Sequence, residues 1–161
     1  GTHKLKGYSP DTLTRVQENR LFDFILIEAD GSKRLPIKAP ADHEPVIPVW
    51  TDVVIGCVGL DCLGRPMDAQ TVHRPEHLAA ITQQLPGNFI EEDHILSLVA
   101  APRGLFKNTS KKMQKIVLLN KADTRERLQA GRAMARRVSK ECPWVDSCLV
   151  SCLLDKKNPI Y

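Results

Sequence analysis

Phe-Asp-Phe-Ile-Leu-Ile-Glu-Ala-Asp-Gly-Ser, residues 22–32, is the stretch around which the rest of this chain can be organised. A run of apolar and β-favouring residues ends in two carboxylates, Glu28 and Asp30, and a Gly-Ser turn. This pattern predicts a buried strand over residues 22–28 that carries both acids to its carboxyl end, where open α/β sheets bind ligands. A core strand whose acidic end only marks a solvated turn would show the same pattern.

The composition is that of one globular domain. Of the 161 residues, 42% are hydrophobic and 26% are charged, so the chain can bury a core, and we expect a single α/β domain over residues 1–161. The net charge of +4 is small and the basic excess at 125–140 is dilute, which argues against a nucleic-acid partner. No apolar run approaches the roughly 18 residues of a membrane span, so we expect no membrane association.

The cysteines form neither a CxxC pair nor a cluster with zinc-finger spacing. An odd number of cysteines without a signal peptide is typical of reduced thiols in the cytoplasm, where we expect this protein. We interpret them as core or surface thiols rather than as a redox or metal site. They are Cys57, Cys62, Cys142, Cys148 and Cys152.

Predicted strands and helices alternate along the chain. A helix begins after the N-cap Ser9, and an irregular, proline-rich piece follows at 33–51. Strands separated by helices and long connections predict a mainly parallel sheet flanked by helices, of the three-layer Rossmann or P-loop NTPase type. The further predicted strands are 52–60, 115–119 and 146–151, and the further predicted helices are 75–85, 91–100 and 124–140.

Asn120-Lys121-Ala122-Asp123 directly follows the predicted strand at 115–119. A carboxylate at this position can accept hydrogen bonds from the ring N–H and the exocyclic amine of guanine, whereas adenine offers no matching pair of donors. The Lys121 stem can cover the face of the base, and the Asn120 amide can bridge loops. A simple turn in which Asp123 caps the following helix would show the same four residues, and both descriptions can be true.

Two further strand ends complete the hypothesis of a nucleotide site. Glu28 and Asp30 would face a magnesium ion bound to phosphates, and Gly31 would let the backbone approach a phosphate. Ser151 and Cys152 would supply backbone donors to the base. The phosphate-binding pattern GxxxxGK[ST] does not occur in the sequence, so the chain lacks the loop that would hold the β and γ phosphates.

Five stretches carry a resemblance to a known family, and they lie at 2–7, 27–40, 43–48, 72–74 and 118–123. Together they resemble the YqeC family of selenium-dependent hydroxylase accessory proteins, and the similarity covers essentially the whole chain. The resemblance implies a P-loop GTPase-like protein that uses Mg²⁺ and GTP in the maturation of a molybdenum-containing, selenium-dependent hydroxylase or its cofactor. The family begins with a Gly-rich loop, so this chain looks like the carboxyl-terminal two thirds of the family pattern.

The proline-rich piece suggests a second pocket in the light of this resemblance. We expect His43, Glu44, His73 and Arg74 to line one pocket near Asp30, for a metal or for an anionic cofactor such as a pterin phosphate. The alternative is that both histidines are structural loop residues. The basic residues between the two motifs would then be solvent-facing charges around a loop, namely Lys33, Arg34 and Lys38.

Three functions are therefore open. The first is a nucleotide-dependent accessory protein, of which this chain alone would bind nucleotide poorly and hydrolyse none. The second is a non-catalytic module that recognises a hydroxylase or a cofactor through residues 33–51. A small-molecule transferase that uses His43 or His73 as a base has no nucleophile motif to support it. A strand at 22–28 without its usual neighbour would also expose a sheet edge, which predicts a homodimer.

Overall fold

The computed structural model of the protein describes residues 7–161, so nearly all of the 2–7 motif lies outside the described residues. Within these residues the structure contains four α-helices and five strands. The four helices and the strands at 52–60, 115–119 and 146–151 were predicted from the sequence, whereas the short strands at 37–38 and 72–73 were not. The helices are α1 (Pro10–Glu18), α2 (Pro75–Thr82), α3 (Glu92–Ala100) and α4 (Arg125–Glu141), and the strands are β1 (Ile37–Lys38), β2 (Val53–Gly59), β3 (Val72–His73), β4 (Gln114–Asn120) and β5 (Ser147–Val150).

The larger sheet has the strand order β2-β4-β5, and both of its pairings are parallel. The short strands β1 and β3 form a separate parallel pair, in which Lys38 lies opposite His73. β1 falls within residues 33–51, which the prolines led us to expect to be irregular throughout. The predicted α/β class with a parallel sheet flanked by helices is confirmed.

One face of the larger sheet carries the core. The register places Val58 beside Leu119 and Leu119 beside Val150, and all three side chains are buried. Met134 and Val138 of α4 belong to the same buried cluster. Burial of each such side chain stabilises the fold by about 1.5–3 kcal/mol, so the helix is fixed against the sheet at the strands that lead to the loops at 120–124 and 151–154.

Helix α1 begins where the sequence predicts, because the Ser9 side chain accepts a hydrogen bond of 3.2 Å from the Thr12 backbone N–H. Helix α2 is shorter than predicted and ends at Thr82, so Leu85 lies beyond it and is exposed. No helix among residues 7–161 is long and apolar enough to span a bilayer.

The prediction of a buried strand over residues 22–28 is wrong. No strand forms there, and the side chains of Phe24 and Leu26 are 88% and 94% exposed. A β-strand requires a hydrogen-bonded neighbour, and none of the described residues pairs with this segment. The apolar sequence is therefore unpaired and exposed.

Contacts on either side of the unpaired segment tie the chain to the two ends of β2. Before the segment, Thr14 Oγ1 accepts a hydrogen bond from Trp50 Nε1 at 3.3 Å, close to the start of β2. After it, the Pro36 carbonyl accepts a hydrogen bond of 2.8 Å from the N–H of Gly59, at the end of β2. The second contact also brings residues 30–38 to the carboxyl end of the larger sheet.

Candidate functional site

The loops after β4 and β5 are joined by one side chain. Asn120 Oδ1 accepts hydrogen bonds from Ser151 Oγ at 3.1 Å and from the backbone N–H of Leu153 at 3.3 Å. The Ala122 N–H also donates to the Ser151 carbonyl at 3.0 Å. The asparagine thus bridges the two loops and fixes the backbone that carries residues 121–123.

Lys121 is held by a residue that the sequence did not single out. Its backbone is left-handed, with φ of 64°, and its Nζ lies 2.8 Å from Asp61 Oδ2 at the end of β2. Asp61 Oδ1 is buried and has no hydrogen-bond partner among the described residues. Asp61 follows β2 as Asp123 follows β4. Its position just after a predicted strand could have identified Asp61 as a candidate site residue from the sequence.

Asp123 does not cap α4. The N-cap is Thr124, whose side chain accepts a hydrogen bond of 3.2 Å from the Arg127 N–H. The Asp123 carboxylate instead contacts Arg127 Nη1 at 2.5 Å, and its side chain is 43% exposed. The alternative in which Asp123 caps the helix therefore does not hold. Because its side chain is partly exposed, the carboxylate is accessible at the carboxyl edge of the sheet.

The backbone donors predicted at Ser151 and Cys152 are already used within the protein. The Ser151 N–H donates to the Leu119 carbonyl at 2.9 Å, and the Cys152 N–H donates to the Pro159 carbonyl at 3.0 Å. The reason is that residues 159–161 fold back along the end of β5, with Ser151 opposite Ile160. A base could use the Cys152 amide only after this contact opens.

A second group of charged side chains lies beyond the loop that follows residue 28. Lys38 Nζ donates to Asp30 Oδ1 and to the Gly31 carbonyl at 2.9 Å, and it forms an ion pair with Glu44 Oε2 at 2.9 Å. The side chain of Lys38 is only 8% exposed. The expectation that Lys38 faces solvent is therefore wrong, because its ammonium is buried in contact with two carboxylates.

Arg74 completes this group, which we call the ionic cluster: Asp30, Lys38, Glu44 and Arg74. Two Arg74 nitrogens bind the Glu44 carboxylate at 2.6 and 3.0 Å. Burial raises the pKa of the Glu44 carboxyl, but hydrogen bonds from Lys38 and Arg74 outweigh burial and lower it to about 2. Glu44 is thus a fixed negative charge between two cations.

The two predicted histidines behave differently. His73 lies beside the ionic cluster, and its buried Nδ1 has no hydrogen-bond partner among the described residues. Burial first, and then the charges of Lys38 and Arg74, lower the pKa of its imidazole, which favours a neutral ring. The His43 side chain is 78% exposed, and its Nε2 lies 3.7 Å from a Glu44 oxygen. Of the four residues predicted to line one pocket near Asp30, Glu44 and Arg74 are therefore in the ionic cluster and His73 lies beside it, whereas His43 lies on its exposed side.

The ionic cluster and the loop at 120–123 lie at the same end of the larger sheet. Gly59 pairs with Asn120 in the β2-β4 register, and its N–H donates to the carbonyl of Pro36, two residues before Lys38. A Cβ placed on Gly59 would come within 2.5 Å of Asp61 Oδ1 and 3.1 Å of Pro36. Only glycine leaves room for the two parts of the site to approach each other here.

Comparison with known proteins agrees with this arrangement of motifs. The model of the YqeC protein family matches residues 1–76. The chain is also 35% identical over 118 residues to the uncharacterized protein YqeC of Escherichia coli (strain K12), a match that covers 73% of this chain and 46% of that protein. The chain belongs to the YqeC family. It spans less than half the length of this relative. No solved structure matches the chain.

The carboxylates of this YqeC family member suit a metal ion whose other ligands come from phosphate and water, rather than an ion held by protein side chains alone. No three His, Cys, Asp or Glu side chains within the described part of the chain lie close enough to hold a metal together. Mg²⁺ bound to phosphates needs only one or two carboxylates, because water and phosphate supply the other ligands. Asp30 fits this requirement, since its carboxylate already faces a cation, the Lys38 ammonium. Glu28 is exposed nearby in sequence.

Proposed function

We propose that this YqeC family member is part of a GTP-dependent accessory protein that acts in the cytoplasm in the maturation of a selenium-dependent molybdenum hydroxylase or of its cofactor. The observation that supports nucleotide binding best is the Asn120 bridge between the loops after β4 and β5. The hydroxylase role is supported by the resemblance and by family membership. The five cysteines without disulfide partners suit a reducing compartment.

Base recognition would be the task of the loop at 120–123. The exposed Asp123 carboxylate can accept hydrogen bonds from both donors on one edge of guanine. The Asn120 bridge holds the loop in place, and the Lys121 aliphatic stem, anchored through Asp61, lies in the same loop. Preorganised acceptors of this kind discriminate strongly, since a mismatched base leaves a polar group unpaired.

The phosphate end would be served by Asp30 and Glu28. Mg²⁺, when bound, would neutralise phosphate charge beside these carboxylates. Asp30 would orient the ion, and the ionic cluster would hold Asp30 in position through Lys38. The step expected of the complete protein is a hydrolysis that drives a conformational change in the delivery or modification of a metal cofactor. Residues 7–161 contain no Gly-rich phosphate loop, so the phosphates would be gripped weakly here.

The test is base preference in the protein encoded by the complete gene. Titration with fluorescent GTP and ATP should show a preference for GTP, and Asp123→Asn should remove it. Because asparagine presents an amide donor in place of one acceptor, the variant should gain affinity for xanthosine triphosphate, whose ring carries a carbonyl where guanine has its amine.

The matched control for Asp123→Asn is Asp93→Asn. Asp93 also contacts an arginine at 2.5 Å, Arg137, but it lies on α3 and its side chain is 73% exposed. This control should leave the preference for GTP unchanged. Equal affinity for GTP and ATP in the unmodified protein, or no effect of Asp123→Asn, would refute the role of Asp123.

The second candidate is a binding module without catalysis that uses residues 33–51. It is favoured by the way this proline-rich segment is held in one conformation. Lys107 Nζ donates to the carbonyls of Ala41 and Asp42, both at 2.7 Å, and Asn108 Nδ2 donates to the Pro45 carbonyl at 3.0 Å. A surface that is ordered before binding loses less entropy when a partner docks.

The two candidate functions can be distinguished by whether the complete gene encodes a phosphate-binding loop and by which substitutions abolish binding. If the complete gene encodes no Gly-rich lysine loop, the binding-module hypothesis takes precedence. In that case Val49→Asp, at a side chain that is 94% exposed within this segment, should abolish capture of the hydroxylase. Asp123→Asn should then have no effect on capture.

A further inference from the structure

We propose that Lys38 is an internal counter-cation that occupies the Asp30 carboxylate in the absence of ligand and must be displaced when a divalent cation binds there. The inference rests on the proposed role of Asp30 and deepens it. Lys38 would determine how tightly the Asp30 site binds a cation. Glu44 and Arg74 would connect the site to helix α2.

The Lys38 ammonium is surrounded by three oxygen atoms of the protein. It donates hydrogen bonds to Asp30 and to the Gly31 carbonyl, and it forms an ion pair with Glu44. The side chains of Asp30 and Glu44 are 18% and 17% exposed, so water screens these contacts only in part. A cation that approaches Asp30 therefore meets an oxygen that is already neutralised.

A divalent cation and the ammonium would compete for Asp30. Both are positive, and at contact distance from one carboxylate they repel each other strongly in a partly buried site. When the ammonium leaves Asp30, it still has the Glu44 carboxylate, so Glu44 gives it an alternative position. Loss of Glu44 would leave Asp30 as the one carboxylate that Lys38 contacts in the described structure and would lower the affinity for the cation.

Displacement of the Lys38 ammonium from Asp30 would change the charges around the start of α2. Glu44 binds Lys38 at 2.9 Å and Arg74 at 2.6 Å with the same oxygen, Oε2. Arg74 is the N-cap residue of α2 and has a left-handed backbone with φ of 68°. A shift of Lys38 toward Glu44 therefore changes the charge balance at the residue where α2 begins.

The experiment measures Mn²⁺ affinity by electron paramagnetic resonance in the protein encoded by the complete gene, without nucleotide. Lys38→Met should bind Mn²⁺ about ten- to a hundredfold more tightly, since a neighbouring charge at this range shifts ion binding by one to two powers of ten. Glu44→Gln should bind it more weakly, and Asp30→Asn should abolish binding. The matched control is Lys107→Met, because Lys107 contacts carbonyl oxygens rather than a carboxylate.

The outcomes separate the inference from the proposed function. If Asp30→Asn weakens Mn²⁺ binding but Lys38→Met does not strengthen it, the inference about Lys38 is wrong and the role of Asp30 stands. If Asp30→Asn binds Mn²⁺ as the unmodified protein does, both fail. A second measurement needs no variant: titration with Mg²⁺ should shift the ¹⁵N resonance of the Lys38 ammonium, and an unchanged resonance at saturating Mg²⁺ would overturn the proposal.

Discussion

Replacement of Phe24 by serine should weaken self-association of this chain. Phe24 and Leu26 are 88% and 94% exposed, on a segment that pairs with no strand. Ile55 of β2, the edge strand of the larger sheet, is 53% exposed. An unpaired apolar segment and an unpaired sheet edge are both templates for pairing with another copy, so we expect residues 7–161 to dimerise through them.

The size of the effect follows from the exposed fraction of the ring. Full burial of a phenylalanine side chain stabilises by about 1.5–3 kcal/mol, so Phe24→Ser would remove about 2 kcal/mol per copy if the dimer covers the ring. A two-fold dimer contains the change twice, or about 4 kcal/mol, which corresponds to roughly a thousandfold in the dissociation constant. Burial of half of the ring would give about 2 kcal/mol for the dimer, or roughly thirtyfold in the dissociation constant.

Sedimentation equilibrium over a hundredfold range of concentration would measure the dissociation constant. The matched control is Leu154→Ser, because Leu154 is also 88% exposed but follows β5 at the opposite edge of the sheet. A chain that stays monomeric at every concentration would refute the reasoning. An equal loss of affinity in Phe24→Ser and Leu154→Ser would show instead that association is non-specific.

Two further predictions concern stability. Because the folded pKa of Glu44 is lowered from 4.5 to about 2, this carboxylate contributes about 3 kcal/mol above pH 4.5, and the contribution is lost as the pH falls from about 4.5 to 2. Urea unfolding at pH 6 and pH 3 should therefore show a gap between the unmodified chain and Glu44→Gln that narrows at the lower pH; a constant gap would contradict this. Gly104→Ala should lower the free energy of unfolding by more than about 2 kcal/mol, because the new Cβ would lie 1.9 Å from the Leu98 carbonyl oxygen, a backbone atom that cannot move aside. A melting temperature equal to that of the unmodified chain would disprove the clash.

The strands of the larger sheet could be predicted because each carries its own signal. β2, β4 and β5 are short, largely apolar runs; β2 ends in Gly59, β4 ends in Asn120, and β5 is followed by Ser151. The segment at 22–28 carries an equally strong local signal and yet forms no strand. The local pattern of apolar residues indicates only whether a segment is suited to a β-sheet. Whether the segment forms a strand also depends on a pairing partner that is distant in sequence.

The candidate site was predictable to a similar extent. The Asn120 bridge and the accessible Asp123 follow from a motif of four consecutive residues at a strand end. The position of Lys38 does not, because its partners lie eight residues before it, at Asp30, and six residues after it, at Glu44. Its apolar neighbours, from Leu35 to Pro40, were the one sign in the sequence that this lysine would be buried.

Residues 159–161 fold back along β5 and occupy one backbone donor at the base site, since the Cys152 N–H donates to the Pro159 carbonyl. While this contact is intact, the Cys152 amide should exchange slowly with solvent hydrogen. A nucleotide that needs this amide would bind only molecules in which the contact has opened, so its apparent affinity would be reduced in proportion to their fraction. Removal of residues 159–161 should therefore increase the association rate of any ligand that uses Cys152.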